Sequence, residues 1–162
     1  MNQSGIRPSK SRFTGEDEFQ RIMDFLGGEK VFHHRIHSSL EAHQLISDGF
    51  PGGVLNFLLK NIGIFRDPDL LQKAVGVSLR TLQRKASPHK ALTEAQSGRA
   101  WKFAEIMAKA TQVMGSQEEA ERWMTSPAMA LDQRRPIDLL STPAGVELVE
   151  DLLIRLEYGV YA

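Results

Sequence analysis

Cysteine is absent from the 162 residues, which removes disulfides, thiolate nucleophiles and cysteine-ligated zinc sites together. Net charge is absent as well: 20 Lys and Arg balance 20 Asp and Glu, which argues against indiscriminate coating of nucleic acid. No apolar run approaches the ~18 residues that a membrane span requires, and the opening MNQSGIRPSKSRF lacks the apolar stretch of a secretory signal. A cytoplasmic chain with no membrane association is expected. Period-two alternation is missing over any useful length, so the chain reads as all-α. What is present, 41% hydrophobic and 25% charged residues, suits one compact domain or two very small ones.

The neutral total conceals a division by position. Residues 1–90 carry 13 basic and 9 acidic residues, a balance of +4, and residues 91–162 carry 7 and 11, a balance of −4. Residues 77–90 hold Arg80, Arg84, Lys85 and Lys90 with no acid, whereas residues 116–162 hold four basic and nine acidic residues. Different partners for the two ends follow as an expectation.

Residues 1–13 contain Arg7, Lys10 and Arg12 among Ser, Gly and Pro, and are expected to form a flexible basic arm. Thr14, with Glu16, Asp17 and Glu18 behind it, opens a helix whose apolar stripe is Phe19, Ile22, Met23, Phe25 and Leu26, and Gly27-Gly28 stops it. A second helix is predicted over residues 39–48, with Leu40, Leu45 and Ile46 inward and Gly49 closing it. Val54-Leu55-Asn56-Phe57-Leu58-Leu59 has no polar face and predicts a buried helix ending near Gly63. Asp67-Pro68-Asp69 is a cap with proline at the first helical position, opening a short helix that Gly76 stops.

Beyond Pro88, apolar residues from Trp101 to Met114 recur at helical intervals and predict a long helix over 93–114. Ser116 and Glu119 form a capping-box pattern for a short helix carrying Trp123 and Met124, with Glu118, Glu119 and Glu121 on a solvated face. Pro136 to Leu140 gives one helical turn. Thr142-Pro143 caps a last helix with Val146, Val149, Leu152, Leu153 and Leu156 inward.

Two short helices joined through Gly76, the second basic on its outer face, form the pattern of a helix-turn-helix. Leu79 and Leu82 would hold the second helix to the core and leave Arg80, Gln83 and Arg84 on a shared face, with Lys85 adding charge. Arginine can grip guanine or phosphate, glutamine can pair with adenine, and Ser78 and Thr81 can bond phosphates. An amphipathic surface helix that is merely basic is the competing explanation. His33, His34, His37 and His43 are crowded together at spacings usable for a metal on a helix, but Glu41 is the only nearby acid with a suitable offset, so no metal site is assigned. No phosphate loop, nucleophile elbow or metalloprotease motif occurs, and no enzymatic activity is expected. An enzyme with a histidine-based metal site ranks last among the alternatives.

The C-terminal stretch RRPIDLLSTPAGVELVEDLLIRLEYGVYA ends in an aromatic tail, in which tyrosine can bury area while keeping a polar handle. Such a tail either inserts into a partner or folds back on its own core. This segment resembles the toxin-binding domain of the Xre/MbcA/ParS antitoxin family, partners of RES-domain toxins. The resemblance covers residues 51–162. Gly-Val-Ser-Leu-Arg-Thr-Leu-Gln-Arg-Lys at 76–85 looks like the family's Xre-type helix-turn-helix. Gln-Ser-Gly-Arg at 96–99, Ala-Glu-Arg-Trp-Met at 120–124, Pro-Ile-Asp-Leu-Leu at 136–140 and Glu-Tyr-Gly-Val-Tyr at 157–161 match its other motifs. Gln96 stands where the family usually has Glu, and Asp132-Gln133 replaces a Gly-Gly turn, giving up the conformational freedom of glycine.

The resemblance implies an antitoxin that covers the active site of a RES toxin, an enzyme acting on NAD or transferring ADP-ribose from it. It also implies a homodimer that binds the promoter of its own operon and needs no cofactor. The expected architecture is a helical domain over 14–91 containing the helix-turn-helix, followed by a helical dimerisation and toxin-binding domain over 92–162. Ser78, Arg80, Thr81, Gln83, Arg84 and Lys85 would meet DNA. Tyr158, Gly159, Val160 and Tyr161 would enter or rim the toxin cleft, with Arg155 and Glu157 making polar contacts. The alternative is a stand-alone helix-turn-helix regulator whose C-terminal half only dimerises.

Overall fold

The computed structural model describes residues 15–85 and 90–159, without the side chains of Glu16, Leu79, Arg84 and Lys85. The arm at 1–13 and the tail residues Val160 and Tyr161 lie outside the described residues. Among those described, α-helices and short 3₁₀ turns account for all the regular structure, and the only pairing of extended backbone is an isolated bridge between Ala128 and Arg134. The fold is all-α.

Helix α1 (Gly15–Phe25) turns Ile22 and Met23 inward. A one-turn helix α2 (Glu29–Phe32), which the periodicity does not reveal, follows the Gly27-Gly28 stop and buries Phe32 edge-on against Phe50. Helix α3 (Ser39–Asp48) is capped by Ser38, whose side chain accepts from the Glu41 amide. Leu40 does not point inward: it is 75% exposed, and the buried residue of α3 is Ala42. The reason is angular. At about 100° per residue, Ala42, Leu45 and Ile46 cluster on the side of the helix opposite Leu40.

Helix α4 (Gly53–Asn61) buries Val54, Leu55 and Leu58 and runs into a 3₁₀ turn, Gly63–Arg66, that carries the buried Phe65. Helix α5 (Pro68–Val75) has Asp67 as its cap, with the side chain accepting from the Asp69 amide, and ends on Gly76 at φ +77°. Helix α6 (Leu79–Lys85) follows after three residues.

The centre of the molecule is α7 (Glu94–Met114), which packs against α1, α3, α5, α8 (Gln117–Met124) and α9 (Pro143–Glu157). It can do so because its buried residues are distributed around the helix rather than along one stripe. Small residues (Ala100, Ala104, Ala108, Ala110) admit close neighbours, and Trp101, Phe103, Ile106 and Met107 fill the spaces between them. Phe103 meets Phe65 with ring centroids 4.8 Å apart. The core is continuous from Ile22 to Leu153.

Two further 3₁₀ turns, Met129–Leu131 and Pro136–Leu139, lead to α9. Gly145 in the first turn of α9 lies directly on the Leu139 carbonyl, where a Cβ would clash with backbone. Lys102 bonds Glu150 at 3.0 Å and Lys109 bonds Glu157 at 2.5 Å, both pairs 48 residues apart, so α7 and α9 run parallel. Burial alone would lower the Lys102 pKa, but hydrogen bonds to Glu105 and Glu150 outweigh it and the net shift is upward. The ammonium is thus held in its charged form.

Candidate functional site

The two helices expected to form a helix-turn-helix are α5 and α6, joined through Gly76. Ser78 Oγ accepts from the Thr81 amide at 3.2 Å and lies 2.9 Å from Thr81 Oγ1, so the two hydroxyls expected to meet phosphate also cap the helix internally. Arg80 and Gln83 are exposed, and Leu82 packs against the core. The side chains of Arg84 and Lys85 lie outside the described residues. The N-terminus of α5 carries Asp67 and Asp69, whose charges answer the helix dipole.

The turn between the helices is filled from outside. Arg99 of α7 donates from Nη2 to the Lys73 carbonyl at 2.5 Å, and its guanidinium lies where a Cβ on Gly76 would be. Burial pushes the Arg99 pKa down, and its buried Nε has no hydrogen-bond partner among the described residues. The Lys73 ammonium in turn bonds Asp138 Oδ1 at 2.7 Å. Asp138 also accepts from Arg135 Nε and Nη2 at 2.8 and 2.9 Å. The Arg135 hydrogen bonds, reinforced by Lys73, hold the Asp138 carboxyl at about 2 against the opposing effect of burial.

At the other end, the outer face of α9 presents Leu148, Ile154 and Tyr158, which are 55%, 47% and 69% exposed, beside Glu147 and Asp151. Arg155 is exposed. Glu157, expected as a polar contact for a partner, is engaged by Lys109 and fastens the end of α9 to α7. Gly159 follows at φ +70°, where an added Cβ would meet nothing within 4 Å among the described residues.

The histidine cluster does not form a helical ligand pair. Helix α2 ends at Phe32, and His33, His34 and His37 fall in the loop before α3, so four-residue helical spacing does not apply to them. Glu41 accepts from the His37 amide as part of the α3 cap, and His34 Nδ1 lies 2.8 Å from the Phe32 carbonyl. Among the described residues, no three potential ligands converge, and no helix is long and apolar enough to cross a membrane.

Glu121 is not on a solvated face. Its Oε1 accepts from the Ile64 amide at 2.9 Å and its Oε2 from Gln117, so it caps the Gly63–Arg66 turn. Only one half of the box expected at α8 is formed: Ser116 accepts from the Glu119 amide, while Glu119 pairs with Arg122.

Residues 109–159 match the family described as the antitoxin Xre/MbcA/ParS C-terminal toxin-binding domain. Over 122 residues the chain is 30% identical to a curated Antitoxin Xre from Pseudomonas putida, which covers 75% of this chain and 74% of that one. The chain belongs to the Xre/MbcA/ParS antitoxin family. Antitoxin Xre of Yersinia enterocolitica is 34% identical over 91 residues, 56% of this chain and 62% of that one. Antitoxin Xre of Photorhabdus laumondii is 27% identical over 117 residues, 72% and 78% respectively. Membership gives the chain the antitoxin role in a toxin–antitoxin pair.

The motifs that carried the resemblance turn out to hold this antitoxin together. Gln96 completes a reciprocal capping box with Thr93, accepting from its amide at 3.1 Å, so the amide replaces the usual carboxylate without losing the bond. Ser97, fully buried, accepts from the Phe50 amide at 2.8 Å. Asp132 and Gln133, in place of Gly-Gly, both adopt left-handed backbone at φ +55° and +62°.

Proposed function

We propose that this chain neutralises a RES-domain toxin in the cytoplasm, covering its active site with the end of α9 and residues 158–161. The toxin would be an enzyme that consumes NAD or transfers ADP-ribose from it. The exposed row Leu148, Ile154 and Tyr158, in acidic surroundings on a helix matched to a toxin-binding domain, carries this reading. Apolar side chains supply contact area, while Glu147 and Asp151 favour a basic-rimmed cleft. Lys109–Glu157 fixes the end of the helix, so Tyr158 and Gly159 leave a rigid base and need less ordering on binding. Arg155 and Glu157 add polar contacts, and Val160 and Tyr161 complete the element that enters or rims the cleft.

The division of labour follows the two ends. Residues 14–91 would bind operator DNA through Ser78, Arg80, Thr81, Gln83, Arg84 and Lys85, and residues 92–162 would dimerise and bind toxin. A homodimer would set two recognition helices against two half-sites and repress the operon. The exposure of Arg80 and Gln83 on α6 supports this part.

Co-expression with the product of the adjacent reading frame tests the toxin reading. Full-length chain should copurify with that product and protect cells, and a variant ending at Glu157 should lose protection. Full protection by the truncated chain would overturn the assignment of residues 158–161. Failure of the full-length chain to copurify with a RES-type product would overturn the choice of partner.

A further inference from the structure

We propose that Arg99 and Asp138 are positioning residues for DNA recognition: both grip Lys73, and through it they set from the C-terminal half the orientation of α5 and of α6 beyond it. This inference rests on the DNA-binding reading of α6.

One residue is held at both its ends. The Lys73 carbonyl, in the last turn of α5, is among those that a helix leaves without an internal partner, and Arg99 Nη2 donates to it at 2.5 Å. A guanidinium there also answers the negative end of the helix dipole. The Lys73 ammonium is bound by Asp138 Oδ1 at 2.7 Å, and Arg135 holds both oxygens of that carboxylate, Nε on Oδ2 and Nη2 on Oδ1. Arg99 and Asp138 sit on different elements, α7 and the Pro136–Leu139 turn, so α5 is tethered from two directions.

Helix α6 needs such help. It is seven residues long, among the described residues it packs extensively against no other helix, and Leu82 is only partly buried. Its position is inherited from the end of α5 through Gly76, at φ +77°, where the absence of a Cβ makes room for the Arg99 guanidinium. A small rotation of α5 would move Arg80 and Gln83 off their contacts, because groove readout demands side chains placed to within a hydrogen bond.

The test is duplex binding by the full-length chain, using the DNA immediately upstream of its own reading frame. It is paired with amide hydrogen exchange across residues 68–85 in the free protein. Asp138→Asn removes a negative charge, so long-range electrostatics alone would tighten binding to DNA; loss of position predicts the opposite sign. Asp138→Asn should weaken binding by about fivefold or more and speed exchange in α6. Asp138→Glu should restore both. Glu29→Gln makes the same charge change at the exposed ion pair that α2 forms with Arg35 and should weaken neither.

Arg99→Met should reproduce the faster exchange. Asp138→Asn binding at or above the wild-type level with unchanged exchange would overturn the inference. If wild type binds no duplex, the DNA reading fails, and exchange still decides whether the tether exists: unchanged protection in both variants overturns it.

Discussion

Helices α9 and α6 are the two proposed working surfaces, and they are fixed in different ways. Helix α9 secures itself. It buries Val149, Leu152 and Leu153, seats Gly145 on the Leu139 carbonyl, and ties its acidic edge to Lys102 and Lys109 of the parallel α7. Among the described residues, helix α6 has Leu82 against the core and a cap made by Ser78, and it follows directly from the end of α5. A self-secured helix suits a rigid contact. A helix positioned by its neighbours can be adjusted from elsewhere, and here the adjusting groups come from the C-terminal half.

Gly145→Ala strikes at the self-secured side and should have the largest effect. A methyl group there meets backbone that cannot rotate away, so thermal unfolding should show a loss of about 2–3 kcal/mol. An unchanged melting temperature would mean that α9 does not rest on the Pro136–Leu139 turn as described.

Asp138→Asn strikes at the other side and should cost less, on the order of 1 kcal/mol after allowance for solvent screening. Its pH dependence gives a separate check. The Asp138 carboxyl is held at about 2 in the folded chain, below its ordinary 3.8, so the stabilisation is fully present above pH 4 and is lost as pH falls toward 2. The difference in stability between wild type and Asp138→Asn should therefore shrink over that interval. A difference that stays constant from pH 5 to about pH 2 would count against the ion pair as its source.

The smallest effect should have the opposite sign. Gln133 occupies left-handed backbone at φ +62°, so Gln133→Gly should stabilise the chain by about 0.5–1 kcal/mol. The gain would leave the contrast between α9 and α6 intact, which exchange rates in both helices can check. A lower melting temperature for Gln133→Gly would show that the side chain contributes more than the backbone conformation costs.

Helix boundaries were legible because the capping residues announce them. Asp67, Ser116 and Thr142, expected as caps, do cap through their side chains, and Gly76 and Gly115 close their helices in left-handed conformation; the caps at Ser38 and Thr93 emerge only from the structure. Leu45 and Ile46 of α3 pack inward as expected, but Leu40 does not, since it sits at the start of the helix on the side away from Ala42. The polar ties were invisible for another reason. Lys73–Asp138 spans 65 residues, Ile64–Glu121 spans 57 and Arg99–Lys73 spans 26, and no local periodicity encodes such pairings. The motifs that resemble the family contain Arg99, Glu121, Asp138 and Glu157, each of which supplies one of these ties or an ion pair to α7.

The double hold on Lys73 has a consequence for how sequences of this family can drift. The tether to Asp138 belongs to a side chain, so a change of charge at 73 demands a matching change at 138. The tether from Arg99 belongs to the main chain, which every residue provides, so position 73 can change freely without loosening it. What Arg99 does require is an absent side chain three residues further on, at Gly76. In descent, arginine at 99 is therefore bound to glycine at 76, a residue with which it forms no hydrogen bond.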